Sequence, residues 1–313
     1  MTDLHVRKLR FGFADYDVPF LWNESDPTFS AATNALSFLF LGIEKLITMT
    51  VNEAMPLIKD PAVHEEAEAF VRQESQHSMA HRQHAKALIR SHPALGATLD
   101  EVIAEYGRLA TTTPLEYRLA YIADMEATFT PAFKLILDNA DTLFAPGDDR
   151  VASLLLWHFV EEIEHRSSAL IIFDSVVGNS WYRMRLAPAV FGHATSVVVR
   201  TAQGFNEHVP LDDRQVDAMS MFGKYWKVAL VERFPSLKNL LAVDIPDNGP
   251  YLKAYRQVPL REQLTAVYGV VRSQIPGHKP AKQKLPALAA EWLARYEAGY
   301  DVTRWYTATR NDG

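Results

Sequence analysis

The stretch that decides the fold is LLWHFVEEIEHRSS, at residues 155–168. Its apolar spacing predicts one helix. His158, Glu162 and His165 follow one another at intervals of four and three residues, so their side chains project from one face of that helix. Two imidazoles and a carboxylate on one face form a metal-ligand arrangement. We therefore expect other helices to supply further ligands.

Helical signals recur along the rest of the chain, whereas strand patterns of alternating polarity are nearly absent. Asp60 followed by Pro61, and Thr113 followed by Pro114 and Glu116, predict helix starts, the second with a capping box. The predicted helices cover 30–55, 61–90, 99–109, 113–139, 148–178, 180–206 with a kink at Pro188, 212–233, 260–273 and 284–297. The predicted fold class is all-α.

Three further predicted helices carry the same ligand types. Glu44 and Glu126 each stand in a nearly apolar stripe, and Glu74 and His77 repeat the Glu-x-x-His spacing of Glu162 and His165. Taken singly, each could belong to a buried ion pair or a solvated helix face. Taken together, they form the constellation of ferritin-like di-iron and di-manganese carboxylate bundles.

We therefore predict a ferritin-like four-helix bundle with additional C-terminal helices. Residues 1–28 form an N-terminal arm whose aromatic residues pack on the body. Residues 29–178 form the di-metal bundle, and residues 179–313 form a helical extension packed on it.

The expected centre holds two iron ions, with an iron–manganese pair as an alternative, and uses dioxygen as co-substrate. Four carboxylates would offset most of the charge of two divalent ions, and one histidine per metal would orient it. We expect Glu74 and Glu162 to bridge the ions and assign catalytic roles to all four glutamates. His81 and His84 extend the face of the second helix, where His84 suits a solvated side. Glu161 and Glu164 are expected to face solvent.

Composition excludes several kinds of site. The chain of 313 residues contains no cysteine, which rules out disulfides, thiolate ligands and cysteine nucleophiles. A net charge of −6 gives no sign of a nucleic-acid binder. The most apolar uncharged stretch we considered, 186–199, is too short to span a bilayer. We expect no transmembrane segment and a cytoplasmic location.

Two family resemblances attach to these residues. The segments LSFLFLGIEKLI, DPAVHEEAEAFVRQESQHSMAHRQH and LLWHFVEEIEHRSSA resemble the bacterial family called predicted metal-dependent hydrolases, over most of the chain. The ligand pattern alone is similar to that of the di-iron arylamine N-oxygenases. That second resemblance implies that His158, four residues before Glu162, is a seventh ligand. An outer-layer or ordinary buried histidine is the alternative.

The leading hypothesis is a non-haem di-iron oxygenase or oxidase acting on a small, apolar or aromatic substrate, with an electron donor that the sequence does not identify. The first alternative is a dinuclear metal-dependent hydrolase, since the same ligands permit it. Two further alternatives remain. One is a ferritin-like ferroxidase or iron-binding protein, and the other is a helical scaffold without metal. A homodimer is compatible with the sequence.

Overall fold

The computed structural model describes residues 4–222, 233–237 and 248–307, and these residues form helices and loops without a strand. The helices are α1 (Pro27–Ala54), α2 (Pro61–Ser91), α3 (Leu95–Thr112), α4 (Leu115–Asp138), α5 (Ala140–Leu143), α6 (Asp149–Glu164), α7 (Ser168–Val176), α8 (Ser180–His208), α9 (Leu211–Arg214), α10 (Leu260–Ser273) and α11 (Ala287–Glu297). The all-α prediction is confirmed for this part of the chain.

Aspartate side chains begin three of the long helices. Asp60 accepts a hydrogen bond from the Ala62 amide at the start of α2, as predicted. Asp148 accepts from the first amides of α6. Asp26 caps α1 by accepting from the Phe29 amide, so this helix begins earlier than expected.

The predicted capping box of the third long helix is wrong. Helix α4 begins at Leu115 with no side-chain cap. Thr113 instead follows the last turn of α3, where its hydroxyl donates to the Leu109 carbonyl at 2.7 Å. Thr113 therefore belongs to the end of α3 and not, as predicted, to the start of α4.

The prediction of one helix over 148–178 is also wrong. Helix α6 ends at Glu164, and α7 begins only at Ser168. His165 has φ −90° and ψ 13°, outside the helical range, although its amide still donates to the Glu161 carbonyl. The proposed ligand His165 therefore lies at a helix end and not in a helix interior.

The outer helices agree only in part with the sequence. Helix α8 continues through Pro188, and α10 has the predicted bounds. The predicted helix 212–233 is not continuous: α9 ends at Arg214, and a 3₁₀ turn covers Ala218–Phe222. The remainder of that prediction, residues 223–232, lies outside the described residues.

Four helices surround the buried interior that holds the predicted ligands. Helix α1 packs against α2 and α4, and α6 packs against the same two helices. Helices α3 and α8 pack against α1 and each other, and α10 packs along α4. In the arm, Phe11, Phe13, Phe20 and Trp22 are buried, which confirms that this segment packs on the body.

The first helix also has the length and composition of a membrane span. Together with the following turn it covers Pro27–Leu57, and 78% of its most apolar window is buried inside the protein. The core helix of a folded domain has the same properties. The expectation of no transmembrane segment rests on 186–199 alone and stays a prediction.

The close approach of α1 and α3 depends on Gly42. A Cβ atom at this position would collide with the ring of Tyr106, whose hydroxyl lies 3.1 Å from that of Tyr121. We expect Gly42→Ala to lower the free energy of unfolding by about 1–3 kcal/mol through overpacking. Gly107→Ala is the control, because nothing lies within 4 Å of its Cβ position. Denaturant unfolding should show a gain of about 0.5–1 kcal/mol there, and equal losses would contradict the argument.

Candidate metal centre

The seven residues predicted from the sequence as metal ligands lie together in the interior between α1, α2, α4 and α6. Each of them is at most 2% exposed. They are Glu44 on α1, Glu74 and His77 on α2, Glu126 on α4, His158 and Glu162 on α6, and His165 just after α6. Helices far apart in sequence thus direct seven ligand-type side chains into one buried space.

One cluster consists of Glu74, His77, Glu162 and His165. One ligand atom from each lies within 4.8 Å of the others. His165 Nε2 is 3.2 Å from Glu74 Oε1, and His77 Nδ1 is 3.6 Å from Glu162 Oε1. Glu126 adjoins this cluster, because its Oε2 is 3.3 Å from His165 Nδ1.

A second cluster consists of Glu44, His81 and His158, again within 4.8 Å of one another. His158 Nε2 lies 3.7 Å from Glu44 Oε1 and 2.8 Å from Glu162 Oε1. Glu162 Oε1 therefore faces histidines of both clusters, which is the position of a bridging carboxylate. Glu74, the other expected bridge, belongs to the first cluster.

The grouping of the histidines differs from the sequence expectation. Both Glu-x-x-His histidines, His77 and His165, lie in the first cluster, so they do not divide one to each cluster. The second cluster instead contains His158 and His81. The sequence carries a signal for His81, since it stands one turn after His77 on the same helical face, but the predicted ligand set does not include it.

Many polar atoms that point into the two clusters have no hydrogen-bond partner among the described residues. By hydrogen-bond geometry, both oxygens of Glu44, Glu74 and Glu126 are unpaired, as is Nδ1 of His77. Buried polar groups in proteins are nearly always paired. Together with the unpaired Oε2 of Glu162 on α6, these oxygen and nitrogen atoms converge from four helices and fit the donor set of iron, manganese or zinc.

The pKa values of the buried glutamates also fit a cation-binding site. Burial raises the pKa of Glu44 and Glu74 well above the usual value, an effect that neighbouring Glu162 increases and Ser78 partly offsets at Glu44. Burial also raises the pKa of Glu126 to about 7. Within the described residues, no lysine or arginine forms an ion pair with these carboxylates. Glu44, Glu74 and Glu126 therefore keep their carboxyl protons to higher pH than ordinary glutamates do.

The histidines respond in two ways. Burial lowers the pKa of His158 to about 4 and that of His81 well below its usual value, which keeps both imidazoles neutral. At His165, burial acts in the same direction, but Glu162 and Glu126 outweigh it and raise the pKa. At Glu162, the neighbouring His165 and His158 outweigh burial and lower the pKa. Glu162 and His165 thus form a charged pair in the metal-free site.

A layer of outer residues holds His77 in position. Its Nε2 donates to Glu161 Oε2 at 2.8 Å, which leaves Nδ1 directed at the cluster. Arg7 of the N-terminal arm donates to Glu161 at 2.8 Å and to Glu164 at 2.7 Å. The expectation that Glu161 faces solvent is wrong, because it is fully buried. Glu164 is 14% exposed. No local signal distinguishes these glutamates from solvent-facing helix charges.

A second series of polar contacts leads away from His158. Its Nδ1 lies 2.7 Å from His81 Nε2, and His81 Nδ1 lies 3.1 Å from the Ser37 hydroxyl. Ser37 Oγ is also 3.1 Å from Nδ1 of His84. The sequence alternative of a solvated His84 is wrong, since this side chain is fully buried.

A family described as predicted metal-dependent hydrolase matches residues 5–244, which is well over half of the chain. The chain therefore belongs to that family, whose description names a metal-dependent enzyme. No curated protein and no solved structure shows a significant match to this sequence.

Metal binding to this site should be linked to proton release. A carboxyl group whose pKa is raised keeps its proton to higher pH and must lose it before it can bind a cation. With the pKa of Glu126 at about 7, we expect Zn²⁺ affinity to fall as the pH drops through 7. Titration calorimetry in buffers of different ionisation enthalpy measures the released protons. Equal heats in all buffers, with an affinity independent of pH, would refute this linkage.

The contact between Glu161 and His77 should contribute to metal affinity. We expect Glu161→Gln to weaken Zn²⁺ binding by about 10–100-fold, as loss of a carboxylate behind a ligating histidine generally does. Glu164→Gln is the matched control, because it removes another partner of Arg7 and keeps the bond between His77 and Glu161. Competition with a chelator measures both affinities. Similar losses in the two variants would show that the effect comes from Arg7.

Proposed function

From membership of this family and the two joined clusters, we propose that the protein is a hydrolase that works through a dinuclear metal centre. The observation that carries the proposal is the convergence of two buried Glu/His clusters on Glu162. The family description supports the reaction class. The proposed substrate is a small molecule.

The proposed ligands follow from the clusters. Glu74, His77 and His165, with Glu126 beside them, would hold one ion, and Glu44 and His158 would hold the other. His81 is either a further ligand or the residue that orients His158, and Glu162 would bridge. In this proposal, α1, α2, α4 and α6 are the four helices of a ferritin-like bundle spanning 29–178, covered by the arm 1–28 and the extension 179–313.

Two bound divalent ions would supply Lewis acidity and would lower the pKa of a coordinated water. The chain's own residues prepare the site for that chemistry. The carboxylates, once deprotonated, offset the charge of the ions, and Glu161 keeps the ring of His77 oriented. Phe40, whose ring centroid lies 4.4 Å from that of His158, and Phe133 form an apolar wall that excludes bulk water.

A second candidate is a di-iron oxidoreductase that uses dioxygen and an external electron donor on an apolar or aromatic substrate. Two features favour it specifically. Four carboxylates donate much negative charge, which stabilises higher oxidation states and weakens Lewis acidity. The wall beside His158 is aromatic, with Phe129 stacked on Phe133 at 5.0 Å.

The two candidates differ in their need for dioxygen. We expect protein loaded with zinc or manganese to hydrolyse members of a panel of small esters, amides and phosphate esters under strict anaerobiosis. Because Glu162 joins the clusters, Glu162→Gln should lower this turnover by about a hundredfold or more. Glu65→Gln, at an exposed position on α2, should leave it unchanged.

The dioxygen requirement also distinguishes the second candidate. Absence of anaerobic turnover, together with a dioxygen-dependent spectral change of the reduced, iron-loaded protein, would favour the oxidoreductase. Absence of stoichiometric metal in the wild-type protein, with unchanged stability of Glu126→Ala, would refute both and leave a helical scaffold.

A further inference from the structure

The outer face of α10 and the loop after it carry a stripe of large apolar side chains that the described part of the chain leaves uncovered. Each is between 51% and 63% exposed. They are Leu260, Leu264, Val267, Tyr268, Val271 and Ile275. Intervals of three and four residues place the helical members on one face. On the inner face, Gly269 lies so close to Pro131 of α4 that a Cβ there would collide with it.

Basic residues are frequent in the segment that contains this apolar stripe, and Arg261, Arg272, Lys279 and Lys282 line the same surface as stripe residues. Residues 253–284 contain seven lysines and arginines and one acidic residue, Glu262, whereas the whole chain has a net charge of −6. All seven basic side chains are exposed: Lys253, Arg256, Arg261, Arg272, Lys279, Lys282 and Lys284. This segment of an acidic protein thus has a net positive charge.

A cavity beside the stripe combines both kinds of side chain. It has a volume of about 680 Å³, and its lining includes Tyr268 and Ile275 together with Arg272, Lys279 and Lys282. Apolar and cationic groups on one rim match an anionic phosphate headgroup joined to a hydrocarbon chain.

We propose that α10 and its flanking loops dock on the surface of a membrane containing anionic phospholipid. The stripe would enter the boundary between headgroups and acyl chains, and the lysines and arginines would contact phosphates. This is binding to a membrane surface and does not require a spanning segment. It also does not depend on the reaction catalysed at the metal centre.

The charge of this surface favours an anionic membrane over a second copy of the chain or a nucleic acid. In a symmetric dimer built through α10, the four basic residues that line this surface with the stripe would face their own copies, and like charges would repel. A nucleic acid would satisfy the charges but would leave six large apolar side chains without a partner. An anionic membrane satisfies both features.

Vesicle flotation of the full chain tests the proposal. We expect binding to phosphatidylcholine vesicles that contain roughly 30% phosphatidylglycerol, about tenfold weaker binding to phosphatidylcholine alone, and release by added salt. Leu264→Glu combined with Val271→Glu should abolish binding. Leu57→Glu, which alters an exposed leucine outside the patch, should not. All three positions are exposed, and unchanged thermal unfolding would establish that the variants are folded.

The absence of cysteine from the chain allows a second, site-specific measurement. Tyr268→Cys labelled with nitrobenzoxadiazole should show a blue shift with the anionic vesicles, and labelled Met79→Cys, at an exposed position on α2, should not. Failure of the wild type to bind these vesicles, or equal binding by the double variant, would overturn the proposal. So would light scattering that shows a dimer converted to a monomer by the double variant, because a second copy would then cover the stripe.

Discussion

Four glutamates buried between helices, with no lysine or arginine paired to them in the described residues, are the constraint on which the structure depends. An ionised carboxylate in a protein interior is costly unless a cation or several donors compensate it. That cost appears as raised pKa values at Glu44, Glu74 and Glu126. Protons or a bound cation can therefore offset the cost of burying these carboxylates. The surrounding apolar contacts, such as the stacking of Phe133 on Phe159 at 4.1 Å, must hold the helices in place.

Both ends of the chain contribute to holding the centre. Arg7 from the arm binds Glu161 and Glu164, and its guanidinium lies 5.8 Å and 5.2 Å from the ring centroids of Trp292 and Tyr296 on α11. The aromatic rings shield the ion pair from water, which strengthens it. The arm is predicted to pack its aromatic residues on the body. Through Arg7, it also determines the orientation of a histidine that faces the centre.

The sequence predicted the helices and the convergence of seven side chains because both depend on local periodicity. It failed where one local pattern has two outcomes. Thr113 suits the end of one helix as well as the start of the next, and tertiary packing decides between them. Glu161 has the same spacing signal as a solvated glutamate, and its burial is tolerable because Arg7 and His77, both far away in sequence, donate hydrogen bonds to it. His81 lies on the same helical face as His77, but the repeated Glu-x-x-His motif, from which the ligands were predicted, does not include it.

The break after α6 makes the two Glu-x-x-His motifs unequal. His77 lies within α2, and its Nε2 is bound to Glu161, so only Nδ1 is available to a cation. His165 lies beyond the end of α6, and its two ring nitrogens face Glu126 and Glu74 at 3.3 Å and 3.2 Å. Either nitrogen of His165 can therefore become the ligating one. A centre built from these motifs has one histidine whose ligating nitrogen is fixed by an outer carboxylate and one whose two nitrogens both face the centre, although the sequence presents them as equivalent repeats.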